Sequence, residues 1–189
     1  MQLLSDWVSV NDETRSALWA QFGAAIDMFG IALEACPEEL WTERIWPEEP
    51  PEWFPRSFAE YWYVGYHTLV WLDLYMWGNP EDQFKPPPPF LAGEVDSPQT
   101  TPDRPYTKAQ LRDYLAALRE RCREKLLALT DDEAARRIEY GWCQGEPVSY
   151  LELVMYNLRH VQGHAAQMSL FLGQRGVAGR DEDWVTRAR

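Results

Sequence analysis

The residues of this chain best suited to chemistry are its three histidines. His160 and His164 lie four residues apart in the stretch "NLRHVQGHAAQ", and His67 lies far upstream in "YWYVGYHTLVW". Residues four apart on a helix share one face, so His160 and His164 can reach the same point in space. Leu153 and Phe171 lie on the same stripe, which places the pair at or near the core.

Helix positions predict that the third histidine joins this pair. His67 and His160 each lie near the middle of a predicted helix, and antiparallel packing of the two helices would bring the three imidazoles together. Imidazole nitrogen suits zinc, nickel, copper and iron(II), and three protein ligands plus an open position are typical of catalytic zinc sites. Hydrogen-bonded core histidines without a metal are the alternative, and the pattern alone leaves both interpretations open.

Other common site chemistries find little support in the sequence. The stretch "HVQGH" lacks the glutamate of HExxH, which argues against a zincin-type protease. The chain has no ExxH pair, which argues against a di-iron carboxylate site. It also lacks a GxGxxG motif, a phosphate-binding P-loop and a GxSxG elbow.

Polar residues near the histidines are candidates for supporting roles. Tyr63 lies one turn before the first histidine, and Asn157 lies three residues before the second. Either side chain can hydrogen-bond a metal ligand or a substrate oxygen, which makes both candidates for a catalytic role, with ordinary core packing as the alternative. Asp27 and Asp73 are further candidates for carboxylates behind the metal ligands, although their helix faces do not place them securely.

Four segments have the periodicity and end signals of long helices. Asn11 is a predicted N-cap, and Ser57, Thr107 and Ser149 each begin a capping-box pattern. The predicted helices run from Asp12 to Ala35, from Ser57 to Trp77, from Thr107 to about Leu129 and from Ser149 to Gly173. Their predicted inward positions include Leu18, Phe22, Ile26, Phe29 and Leu33 in the first helix, and Leu111, Leu115, Leu118, Cys122 and Leu126 in the third.

Long connections separate these helices, over residues 36–56, 78–106 and 130–148. Within residues 130–148, the stretch "TDDEAARR" predicts a short helical turn, and "YGWCQGEP" predicts a turn or short hairpin. The second contains "KPPPP", but also Phe84, Phe90, Leu91 and Tyr106, so we expect it to be ordered and to pack against the helices. The predicted fold class is all-α, with one four-helix-bundle domain over residues 1–189.

Composition limits the compartment and the partners. A formal net charge of −12 without a basic stripe excludes nucleic acid as a partner. The three cysteines are odd in number and widely spaced, and the N-terminus has no secretory signal, so the predicted location is cytoplasmic. The most apolar run, Tyr61 to Trp77, is shorter than a membrane span, so we expect a buried helix and no membrane partner.

This combination of features resembles one protein family over roughly residues 12 to 176. A bundle helix with one histidine in an aromatic context, followed much later by HxxxH and "FLGQRG", resembles the DinB/YfiT-like superfamily. The resemblance implies a bundle whose second and third helices run the same way, joined by a long crossover over 78–106. It also implies a zinc, nickel or iron ion bound by His67, His160 and His164, and a homodimer.

The same resemblance implies a function. Members with assigned activity include metal-dependent hydrolases and transferases that use low-molecular-weight thiols such as bacillithiol or mycothiol, so the expected substrate is a small molecule. A non-catalytic metal-binding or stress-related interaction protein is the alternative. A pocket open above the metal would favour the enzyme, and a fourth protein ligand would favour the alternative. The segments "WPEEPPEWFP" and 78–106 depart from compact members and leave the substrate class open.

Overall fold

Helices make up most of the structure, a computed structural model that describes residues 9–46, 48, 55–95, 100–177 and 184–189, apart from the Glu94 side chain. The helices are α1 (Asp12–Ala35), α2 (Tyr61–Trp77), α3 (Lys108–Leu127), α4 (Asp131–Ala135) and α5 (Tyr150–Gln174). Two short strands, β1 (Arg137–Ile138) and β2 (Val148–Ser149), pair antiparallel. Single 3₁₀ turns cover Glu38–Leu40, Arg56–Ala59, Glu81–Gln83, Gly93–Val95 and Gly141–Cys143. The mostly helical class, the short helix after α3 and the small hairpin are thus as predicted.

Three of the four predicted helix starts are confirmed. The side chains of Asn11, Thr107 and Ser149 accept hydrogen bonds from the first turns of α1, α3 and α5, and Thr107 forms a complete capping box with Gln110. The observed helix ends at Leu127 and Gln174 lie within two residues of the predicted ones. Local capping chemistry therefore decides these boundaries.

The predicted start of α2 at Ser57 is wrong. Ser57 lies in a 3₁₀ turn, and α2 begins only at Tyr61, where Glu60 makes no side-chain capping bond. The backbone N–H groups of Tyr61 and Trp62 donate instead to the carbonyls of Glu43 and Trp41, at 2.9 and 3.0 Å. A segment distant in sequence thus satisfies the donors that a capping serine would have satisfied.

Contacts between side chains show how the long helices run. Along α2 and α3, Asp73 binds Tyr114 and Arg121, and further on the carbonyl of Trp77 accepts from Lys125, so the two helices run in the same direction. Along α2 and α5 the order is reversed. His67 meets His160, Leu72 meets Asn157 and Met76 meets Tyr150, so these helices are antiparallel. α1 packs against both α3 and α5.

The buried side chains form one apolar cluster to which all four long helices contribute. Of the predicted inward positions in α1 and α3, all are buried except Leu18, which packs against the cluster while partly exposed. Gly65 allows close helix approach, because a Cβ there would lie 3.3 Å from methyl groups of Leu33 and Leu111. Gly163, a second glycine inside a helix, faces open space.

The proline-rich connection packs against α2 and α3. Phe84, Phe90 and Tyr106 are buried, whereas Leu91 is 43% exposed. The hydroxyl of Tyr66 donates to the carbonyl of Leu91, and the Phe90 ring stacks on Tyr114 of α3 with centroids 4.6 Å apart. The prediction of an ordered segment is confirmed for residues 78–95 and 100–106. Residues 96–99 and most of "WPEEPPEWFP" lie outside the described part of the chain.

Within the described residues, α1 is the one helix long and apolar enough to cross a membrane, as judged by length and composition alone. Its most apolar window has a mean hydropathy of 1.3, and 61% of that window is buried inside the protein. The apolar residues of α1 therefore serve mainly as contacts for α3 and α5.

Candidate metal centre

The three histidines meet in the groove between α2 and α5. The Nε2 atom of His160 lies 3.0 Å from Nε2 of His67 and 3.1 Å from Nε2 of His164. All three side chains are partly buried, so they lie at the border between the core and the surface. The convergence predicted from the sequence is therefore present, although the rings lie at the edge of the core rather than inside it.

The register of α2 against α5 sets this convergence. The Asn157 amide donates to the carbonyl of Leu72 at 3.1 Å, and the Tyr150 hydroxyl donates to the carbonyl of Met76 at 2.8 Å. Met76 lies in the last turn of α2, where helix carbonyls lack an intrahelical partner, whereas the carbonyl of Leu72 accepts Asn157 through its second lone pair. These two contacts hold the antiparallel helices so that His67 and His160 reach the same level.

The environment of His160 keeps its ring neutral. Burial, followed by the neighbouring His67 and His164, lowers the pKa of His160 to about 2 from the ordinary 6.5. A neutral imidazole has a lone pair on one nitrogen and can bind a metal ion without first losing a proton. His160 therefore keeps a nitrogen lone pair available to a metal ion at physiological pH.

The spacing of the three nitrogens fits a transition-metal ion. With bonds of about 2.0–2.1 Å, ligands at right angles lie about 2.9 Å apart and tetrahedral ligands about 3.4 Å apart. The observed 3.0 and 3.1 Å fall between these values. When each ring carries its proton on Nδ1, three lone pairs face one another, and a cation among them would offset that repulsion. The chemistry and spacing of the donors thus suit zinc, nickel or iron(II).

Gln167 orients one of the histidines. Its Oε1 atom lies 2.8 Å from Nδ1 of His164, where it can accept only from a protonated Nδ1. The proton on Nδ1 leaves Nε2 free to act as the ligand, a typical arrangement behind metal-binding histidines. Sequence reasoning missed Gln167, although its position three residues after His164 on the same helix was a usable signal. In contrast, Nδ1 of His160 is buried without a hydrogen-bond partner among the described residues.

The two candidate catalytic residues lie in the core beside the site. Tyr63 is buried, and its ring stacks on Phe58 with centroids 4.3 Å apart. Asn157 is fully buried, donates to α2 as described above, and has an Oδ1 atom without a partner in the described part of the chain. The Asn157 amide therefore connects the two helices that position the histidines.

The two aspartates considered as supporting carboxylates bind α3. Asp27 accepts two hydrogen bonds from Arg119, at 2.6 and 3.1 Å. Asp73 is buried and accepts from the Tyr114 hydroxyl at 2.6 Å and from Arg121 at 2.9 Å. Both carboxylates thus connect helices, and among the described residues the group of possible metal ligands consists of the three histidines alone.

Comparison with known protein families places this site in context. Residues 21–168 match the DinB superfamily, a region that includes all three histidines. The chain belongs to the DinB superfamily. Searches of curated proteins and of solved structures give no match. The expected family is therefore confirmed over most of the chain.

Proposed function

We propose that this DinB protein binds one divalent transition-metal ion through His67, His160 and His164, and uses it to act on a small molecule as a transferase or hydrolase. The short distances from Nε2 of His160 to Nε2 of His67 and of His164 carry the proposal. The family match supports it, because the matched region contains all three ligands. Zinc, nickel and iron are the candidate metals.

Different residues would bind the metal ion and orient its ligands. His67, His160 and His164 would hold the ion, and Gln167 would keep His164 in the required tautomer. A metal held by three imidazoles supplies a Lewis acid that lowers the pKa of a water or thiol ligand. Tyr63 and Asn157 remain the candidates for contacts with a ligand or a substrate oxygen.

Two observations favour an enzyme over a non-catalytic metal-binding or stress-related protein. The described residues supply three ligands and no carboxylate or thiolate to close the site. The histidines are also partly exposed, so a small molecule can approach them. A low-molecular-weight thiol would suit an open position on such a metal, since a thiol that binds metal loses its proton.

The proposal includes a particular assembly. We infer a four-helix bundle of α1, α2, α3 and α5, in which the proline-rich connection is the crossover between the parallel α2 and α3. The directions of contact described above support this arrangement. We further propose a cytoplasmic homodimer.

Metal content is the first test of this function. Protein purified without a histidine tag should contain, or take up, about one zinc, nickel or iron ion per chain, as measured by elemental analysis and calorimetric titration. His67→Ala, His160→Ala and His164→Ala should each abolish tight binding, whereas Arg159→Ala, an exposed position on the same helix, should not. Wild-type protein that binds none of the three metals would contradict the proposal.

Cobalt substitution distinguishes an open site from a closed one. Added thiol should change the visible absorption of the cobalt-loaded protein if the metal has an exchangeable position. An unchanged spectrum at saturating thiol would instead support the non-catalytic alternative.

A further inference from the structure

Four aromatic side chains border the histidine cluster on one side. We call Trp71, Tyr75, Trp142 and Tyr156 the aromatic wall. The Trp71 ring lies 6.2 Å from the His67 ring, and the Tyr75 ring lies 6.3 Å from the His160 ring. Trp71 and Tyr156 each lie one helical turn from a histidine, so they share the helix faces that carry the histidines.

The wall is continuous and reaches the surface. Trp71 and Tyr75 have ring centroids 5.2 Å apart, Tyr75 and Tyr156 lie 5.4 Å apart, and Trp142 stacks on Tyr156 at 4.7 Å. Trp142 is 37% exposed, and Trp71 and Tyr156 are partly exposed. A molecule that approached the histidines along this side of the groove would therefore meet ring surface.

One atom of the wall needs a partner. The Nε1 atom of Trp71 is buried and has no hydrogen-bond acceptor within the described residues. A buried N–H group without an acceptor destabilises the folded protein, and indole nitrogen is a donor only. A ligand with an acceptor atom near its ring would satisfy this donor.

The wall itself is uncharged, and charges of both signs lie near it. Burial, followed by the neighbouring Tyr156, raises the pKa of Tyr75, which therefore stays a neutral phenol. The exposed guanidinium of Arg159 lies 6.0 Å from the centre of the Tyr156 ring. The carboxylate of Glu81 also acts on Tyr75 and helps to raise its pKa, so the two nearby charges have opposite signs.

We propose that the aromatic wall binds a flat aromatic ring of the substrate, while the substrate's reactive group lies at the histidine cluster. The inference rests on the proposed function and names its substrate class: an aromatic compound with an acceptor atom within reach of Trp71. The ring stacks on the exposed ring surface of the wall, and the indole N–H accounts for the placement of the acceptor.

Two metal-binding probes distinguish the contribution of the aromatic wall to ligand affinity from that of the metal ion. Acetohydroxamate and benzohydroxamate chelate zinc or cobalt through the same hydroxamate group. Benzohydroxamate carries a phenyl ring where acetohydroxamate carries a methyl group. On metal-loaded wild-type protein, benzohydroxamate should bind about tenfold more tightly, as expected for one stacked ring. Tyr156→Leu and Trp71→Leu should reduce this ratio to about twofold and leave the affinity for acetohydroxamate unchanged. Trp77→Leu, an exposed tryptophan at the end of the same helix, is the matched control and should keep the ratio.

Equal affinities of the two hydroxamates on wild-type protein would overturn the inference and leave the metal site intact. Tighter binding of a hydroxamate that carries a trimethylammonium group would overturn it in favour of a cationic substrate. Protein that binds neither hydroxamate because it holds no metal would contradict the proposed function itself.

If a leucine variant loses its metal, ¹⁹F spectra of wild-type protein labelled with 5-fluorotryptophan replace the affinity measurement on that variant. Benzohydroxamate, and not acetohydroxamate, should then shift resonances assigned to the wall, and unshifted resonances would refute the inference.

Discussion

His164 and Gln167 show how one hydrogen bond can prepare a ligand. The amide oxygen of Gln167 lies on the side of the ring opposite the nitrogen that faces the other histidines. The acceptor selects the tautomer and also limits rotation of the ring, which lowers the entropy lost on metal binding.

Replacement of Gln167 should therefore weaken metal binding without removing it. We expect Gln167→Ala to lower zinc affinity by about 10–100-fold, because the ring of His164 loses its fixed tautomer and orientation. Competition titration against a chelator of known affinity measures the change. Gln162→Ala is the matched control, since the Gln162 side chain contacts Met28 and not a histidine. Similar affinities of the Gln167 and Gln162 variants would rule out this role.

At the residue scale, spacing predicted the histidine cluster, because His160 and His164 share a helix face whatever the rest of the fold. The aromatic wall was not predictable in the same way. Trp142 comes from the hairpin between β1 and β2, and its stacking on Tyr156 depends on how that hairpin packs. Tertiary placement of a loop has no periodic signal in the sequence.

Helix starts in this protein are fixed in two ways. At Ser149, the side-chain hydroxyl accepts from the backbone of Glu152 at 3.1 Å. At α2, the carbonyls of residues 41 and 43 take the first-turn donors, and Ser57 is not the cap. The motif "SFAE" predicted the wrong start for α2, because the carbonyls that accept from its first turn belong to residues 41 and 43. No local sequence pattern connects these residues to α2.

The two serines should accordingly differ in their effect on stability. Ser149→Ala should lower the free energy of unfolding by about 1 kcal/mol, because α5 loses an acceptor for its first turn. Ser57→Ala should change it by less than about 0.5 kcal/mol. Urea denaturation of the two variants gives the comparison. Equal losses would mean that Ser57 does stabilise the start of α2.

α4 is connected to α2 and α5 through Arg136. Its guanidinium donates to Glu133 at 2.9 and 3.2 Å and to the carbonyl of Gly78 at 2.7 Å, and it lies 5.2 Å from the centre of the Tyr150 ring. The hydrogen bond from Arg136 is the main cause that lowers the pKa of Glu133 below 4.5, and Lys125 adds to it. The ionised carboxylate is thus favoured in the folded protein.

A lowered pKa in the folded state has a defined consequence for acid stability. The contribution of Glu133 is fully present above its unfolded pKa and is lost as the pH falls through its folded pKa. Because the side chain is partly exposed, we expect Glu133→Gln to cost only about 0.5 kcal/mol at pH 7. The difference from wild type should vanish well below pH 4.5. Thermal unfolding over this pH range tests it, and a difference that persists in acid would contradict the ion-pair explanation.

Across the whole molecule, the proline-rich connection covers the α2–α3 face, whereas the histidines lie between α2 and α5. The part of the segment around Phe90 therefore stabilises the parallel helix pair. Its apolar residues indicated docking, but the face on which it docks depends on partners such as Tyr66 and Tyr114 that belong to other elements.

Docking of this segment should protect it from proteases. We expect slow chymotrypsin cleavage after Phe84 and Phe90, because both side chains are buried and would have to leave their contacts first. Phe90→Ala removes the stacking with Tyr114 and should speed cleavage at Phe84 several-fold, as followed by mass spectrometry. Leu91→Ala, at an exposed neighbour, is the control. Rapid cleavage of wild-type protein would show that the segment is not held.

The packing of α1 has a consequence for synthesis on the ribosome. Of the helices in the described part of the chain, α1 leaves the exit tunnel first, but it packs against α3 and α5, and α5 is made last of these. At about 5–20 residues per second, the roughly 115 residues from Ala35 to Tyr150 take about 6–23 s. For that interval an apolar nascent helix has no α5 to cover it. The chain is therefore expected to depend on chaperones that shield apolar segments until α5 has been made.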